Sequence, residues 1–104
     1  DMCFMECSTY NYAEDSYTST PSNGCSDEDI QFGNEQYEWI KNVLSEWDQD
    51  ESIVWKASVQ HHMIFGAHSD DNAYIINNYM PLLMAHNFDL YLNGHEHFMA
   101  YALQ

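Results

Sequence analysis

Two short histidine clusters carry the chemistry-bearing residues of this chain: Gln60-His61-His62 and Gly94-His95-Glu96-His97. Neutral imidazole is the commonest side-chain metal ligand, and two such clusters on loops at one edge of a sheet can meet at a single site. The candidates are His62, His95 and His97. In an extended segment His95 and His97 face one side, and ligands two residues apart can also straddle a pair of metals. Gly94 offers the dihedral freedom of a sharp turn ahead of them. All six histidines lie between His61 and His97, whereas most of the seventeen acids lie in residues 1–50.

The elements that must position these loops follow from periodicity. Tyr37, Ile40, Leu44 and Trp47 recur at helical spacing and predict an amphipathic helix from Asn34 to near Trp47. On this reading Gly33-Asn34-Glu35 is a helix N-terminus. Ser52 to Val59 is branched and aromatic, predicts a strand and runs into His61-His62. Tyr74, Ile75, Ile76, Tyr79, Leu82 and Leu83 suit a buried helix between Ala73 and His86, kinked or restarted at Pro81. Phe88 to Leu92 predicts a second strand, ending in the turn signal Asn93-Gly94. Helix, strand, helix, strand is the rhythm of an α/β layer, in which chemistry collects beyond the carboxyl ends of strands. Both histidine clusters occupy that position. Trp39, Trp47, Trp55 and the six methionines read as packing residues.

Residues 8–29 are dense in Ser, Thr, Asn, Asp, Gly and Tyr and predict a long acidic loop. The chain divides accordingly into an acidic loop region, 1–33, and a helix-strand-helix-strand core, 34–104. Only Lys41 and Lys56 oppose the seventeen acids, giving a formal net charge of −15. Such a surface repels phosphate backbones and anionic membranes, so nucleic acid is not an expected partner. The apolar stretches fall short of the roughly 20 residues that span a bilayer. Three cysteines, Cys3, Cys7 and Cys25, leave at least one thiol without a partner inside the chain. A nucleophilic thiol needs a helix N-terminus or an adjacent base, and these three lie in unpatterned sequence. Asp48 to Ser52 is not a calcium loop, because the required sixth-position glycine is Ile53.

Val59-Gln60-His61-His62 followed by Gly94-His95-Glu96-His97 resembles the last two motifs of the calcineurin-like metallophosphoesterases. The likeness is strongest to purple acid phosphatases, the tartrate-resistant type included. Gln36, Trp39, Ile40 and Leu44 resemble the family's Gln-x-x-Trp-Leu helix, and the resemblance extends over residues 34–104 through Pro81-Leu82-Leu83 and Phe88-Asp89-Leu90-Tyr91-Leu92. It implies an α/β fold that is the C-terminal half of a metallophosphoesterase β-sandwich flanked by helices, four-layered αββα when complete. It implies hydrolysis of phosphomonoesters at two metal ions, iron paired with iron, zinc or manganese, with metal-bound hydroxide as nucleophile. His62 and His95 are the implied ligands of one metal and His97 of the other, while His68 or His61 supplies the leaving-group proton. The family's earlier Asp, Gly-Asp and Gly-Asn-His motifs have no counterpart here, and Met63 stands where a proline is common. The implied partners are therefore the phosphomonoester and the missing N-terminal half of the domain, without which the 104 residues are expected to be inactive. The alternative is a non-catalytic metal-binding or interaction remnant of the same fold. A secreted or lysosome-like setting is what the resemblance favours.

Overall fold

The computed structural model describes residues 7–18, 24–64, 73–95, 97 and 99–102. Its first helix, α1, spans Asp27–Trp47 and begins well ahead of Asn34. The cause is a reciprocal cap. Ser26 Oγ accepts from the Asp29 amide while the Asp29 carboxylate accepts from the Ser26 amide, and Asp27, Glu28 and Asp29 complement the helix dipole. Gly33-Asn34-Glu35 thus lies inside the helix and is not its start. Asn34 Oδ1 there accepts from Ser8 Oγ at 2.9 Å and the Thr9 amide at 2.8 Å, tying the preceding segment to the helix.

The predicted long loop also contains a hairpin. Strand β1, Tyr10–Asn11, pairs antiparallel with β2, Ser16–Tyr17. Asn11 Oδ1 caps the turn by accepting the Ala13 amide, and Asp15 takes the left-handed conformation (φ 48°) that short polar side chains tolerate. Tyr10 stacks on Tyr37 with ring centroids 4.1 Å apart, and Lys41 Nζ lies 4.7 Å above the Tyr10 ring. A Cys7–Cys25 disulfide closes this region onto the start of α1, and Cys3 lies outside the described residues.

Strand β3 is Ala57–Gln60 rather than Ser52–Val59. Asp50 Oδ1 accepts from both the Ser52 amide and its hydroxyl, and the Ile53 amide bonds Asp50 O, so residues 50–53 form a turn. A π-helical stretch, Ile75–Tyr79, leads into helix α2, Met80–Ala85. Pro81 has no amide to donate and its ring crowds the carbonyl four residues back, so a widened turn just before it fits the predicted restart. Asn87 (φ 54°) ends α2, and β4 is Leu90–Asn93. β3 and β4 pair in parallel, Ala57 with Leu90 through to Gln60 with Asn93. A parallel pair joined by a helical crossover is the βαβ unit, so the architecture is α/β.

Tyr10, Tyr37, Ile40, Leu44, Ile64, Ile75, Tyr79, Leu82 and Leu83 form the core between hairpin, α1 and the crossover. Ser58 and Gln60 turn inward, whereas Ala57, Val59, Leu90 and Leu92 form an exposed apolar face on the same sheet. The tryptophan reading is corrected in part: Trp39 is 63% and Trp55 78% exposed. Trp39 is two residues from Tyr37, a rotation of about 200° that carries it off the buried stripe. Trp47, partly exposed, does pack, stacking on Phe88. Among the described residues no helix is long and apolar enough to cross a membrane.

Asp48, just past α1, joins three elements: it pairs with Lys56 Nζ and, at 2.7 Å, with His86 Nδ1, while Lys56 Nζ also donates to His86 O. Hydrogen bonds from Lys56 and then His86 hold the Asp48 carboxyl below its ordinary range. A carboxylate whose folded pKa is depressed contributes stability above its unfolded pKa of about 3.9 and loses it as pH falls through the folded value. Asp48→Asn is therefore expected to cost about 1 kcal/mol at pH 7, given the pair's partial exposure. Melts of the two proteins should draw together as pH falls below about 4, and a gap that does not narrow on acidification is inconsistent with this linkage.

Candidate functional site

Because β3 and β4 run parallel, their carboxyl ends share one edge, where β3 leads directly into His61 and β4 through Gly94 into His95. The Gly94 amide donates to His61 O at 3.1 Å and clasps the two exits together. The left-handed residue of the second exit is His95 (φ 69°), not Gly94. That region is uncommon for a residue with a side chain, histidine being among those that enter it most readily, and residues held there cluster at functional sites.

Three imidazoles converge there. His61 Nε2 stands 3.1 Å from His95 Nδ1, with ring centroids 5.1 Å apart and planes nearly perpendicular. The His62 ring centroid lies 5.2 Å from that of His61 and 5.7 Å from that of His95. His61 and His95 are exposed and His62 is half-buried. A His61 nitrogen thus faces His95 with the His62 ring close to both, and the resemblance pairs His95 with His62. His97 is exposed, two residues beyond His95, while His68 and Glu96 lie outside the described residues. His86 is committed to Asp48.

Tyr91 is the site residue that sequence reasoning missed. From β4 its hydroxyl donates to His62 O at 2.6 Å. Burial, then the neighbouring Tyr79, raises its phenol pKa and keeps it a donor. Nothing in a strand aromatic signals such a role beforehand. Asn93 Nδ2 donates to Gly94 O at 2.9 Å, the turn role expected of it.

Two imidazole nitrogens bound to one ion, each at about 2.0–2.1 Å, stand roughly 3 Å apart. The 3.1 Å approach of His61 to His95 therefore suits a proton shared between them or a single metal ion held by both. Among the described residues, however, no set of three His, Cys, Asp or Glu side chains is arranged to hold a metal. A cavity of about 470 Å³ between the hairpin and the π-helical stretch and a groove of about 340 Å³ between α1 and β3 are lined by other residues.

No family model and no solved structure matches the chain. A stretch of 63 residues is 33% identical to purple acid phosphatase 3 and, likewise, to purple acid phosphatase 4 of Arabidopsis thaliana. Each match takes in 57% of this chain but only 17% and 19% of the respective relative. The chain thus spans less than a fifth of either relative, and its likeness to the purple acid phosphatases is confined to that stretch.

Proposed function

We propose that this chain supplies the late histidine ligands of a metal-dependent phosphatase that hydrolyses phosphomonoesters. The observation that carries the reading is the 3.1 Å approach of His61 to His95 at the carboxyl edge of a parallel strand pair. The partial likeness to two purple acid phosphatases supports it. His95 holds one ion with His62 or, as the short approach favours, with His61, and His97 serves a second. The proton for the departing alcohol comes from His68 or, where His62 is the ligand beside His95, from His61. Bound there, two ions, iron paired with iron, zinc or manganese, supply Lewis-acid chemistry and the positive charge that the −15 chain lacks for a phosphoester.

Full coordination requires carboxylate and amide ligands from elsewhere in the domain. In this proposal the exposed face of Ala57, Val59, Leu90 and Leu92 packs against a second sheet from that missing half, completing the sandwich. Parallel sheets are ordinarily covered on both faces, which supports such a partner. The Cys7–Cys25 disulfide is in keeping with the oxidising, secreted or lysosome-like setting.

Titration of the 104-residue chain with Co(II), followed by visible absorption, tests the site. His95→Ala and His61→Ala are each expected to weaken binding at least a hundredfold, roughly, as loss of an imidazole ligand should exceed the 10–100-fold effect of an outer-shell partner. His86→Ala should leave it unchanged. Undiminished binding in His95→Ala overturns the assignment. Binding that persists without p-nitrophenyl phosphate hydrolysis, once the domain is completed, favours the metal-binding remnant instead.

A further inference from the structure

We propose that Tyr91 is a positioning residue whose hydroxyl straps the His61-His62 loop to β4 and thereby sets the approach of His61 to His95. The inference rests on the site described above and goes beyond its ligand assignments. The β3–β4 ladder ends at the Gln60–Asn93 pair, so the histidines lie beyond the sheet's own hydrogen bonds. Two bonds from the second strand and its exit hold successive carbonyls of the loop: Gly94 N donates to His61 O at 3.1 Å, and Tyr91 Oη to His62 O at 2.6 Å.

The geometry of the second bond is informative. Tyr91 is opposite Ser58 in the register. Were the chain to continue extended from Ser58, His62 would stand roughly 13 Å further along at about 3.3 Å per residue, beyond the reach of a tyrosine. The bond therefore requires the loop to fold back over the sheet, and it is this fold that sets the His61 ring against His95 and beside His62. The base of the strap is fixed from below, where Ser58 Oγ and Tyr79 Oη are hydrogen-bonded at 3.0 Å within the packed layer. Removing the hydroxyl deletes its bond to the His62 carbonyl while leaving the ladder intact.

The test uses the metal-free 104-residue chain with labelled histidine. Nuclear Overhauser contacts between the His61 and His95 rings are expected in the native protein and expected to fall at least severalfold in Tyr91→Phe. Tyr91→p-aminophenylalanine, which restores a para donor, should recover them. The core variant Leu82→Ala should lose stability yet keep the contact, separating positioning from general destabilisation. With Co(II) alone as probe, Tyr91→Phe should weaken binding about tenfold, as loss of an outer-shell partner does. A native-like ring contact in Tyr91→Phe overturns the proposal, as does absence of the contact in the native chain. Should Tyr91→Phe not fold, slow exchange of the Tyr91 hydroxyl proton and its contact with the His62 backbone in the native chain serve instead, and their absence overturns it. A strap-dependent ring contact without any Co(II) binding would leave the strap standing and reject the metal reading alone.

Discussion

Replacing Tyr37 by alanine is expected to lower the unfolding free energy by about 4 kcal/mol, in the range of large aromatic truncations in packed cores. The ring is fully buried on α1, stacked at 4.1 Å on Tyr10 and edge-on to Tyr74 at 6.5 Å. It therefore joins three segments distant in sequence: the hairpin, α1 and the turn entering the crossover. Deleting it removes the transfer energy of the ring and leaves a cavity that neither the short hairpin nor the capped helix can collapse to fill. Urea unfolding should show the loss as a lower midpoint at similar slope. Tyr37→Phe is expected to differ from the native protein by less than about 1 kcal/mol, because the Tyr37 hydroxyl has no hydrogen-bond partner among the described residues. A large loss in the phenylalanine variant would show that the hydroxyl, not the ring, is the anchor.

How far the sequence was legible depends on which interactions are periodic. The body of α1 could be read from Tyr37, Ile40 and Leu44, since one stripe meets one core. Its first two turns were hidden because they are held by Ser26, Asp29 and Asn34, polar contacts with no apolar period. The Ser-x-x-Asp spacing was nonetheless an available signal. β3 and β4 could be read as strands, but not which face is covered. Inside lie Ser58, Gln60 and Tyr91, while Val59, 75% exposed, and Leu92 point outward, inverting the usual expectation. Such an inversion is what a parallel sheet covered on both faces would show, and periodicity alone does not distinguish it from a sheet covered on one. The histidines could be placed at a common edge from strand direction. Which imidazole meets His95, and that His95 itself takes the left-handed backbone, depends on how a loop beyond the ladder folds back, and that is set by Tyr91 and Gly94. The cystine was illegible for a simpler reason, since three cysteines allow three pairings.

Loss of the Cys7–Cys25 bond, in a Cys7→Ser/Cys25→Ser variant, is expected to cost about 3 kcal/mol, the loop-closure value for a ring of this size. The cysteines are 18 residues apart in sequence and their Cα atoms 5.8 Å apart. Cys25 immediately precedes the Ser26 cap, and Cys7 precedes the Ser8-Thr9 segment that Asn34 holds, so the bridge and the Asn34 bonds grip the same region from its two ends. For a chain of this length the cost corresponds to a fall in melting temperature on the order of 15 °C. Hydrogen exchange should accelerate first at residues 27–35 and less over 37–44, where the helix is secured by the core rather than by the bridge. The His61–His95 contact, positioned from β4, should persist at temperatures where the variant remains folded. Reductant should lower the native melt and leave the double variant unmoved, which separates this bridge from any reshuffling through Cys3. If native and variant melts coincide, the Asn34 bonds already order the region and the disulfide adds no stability to it.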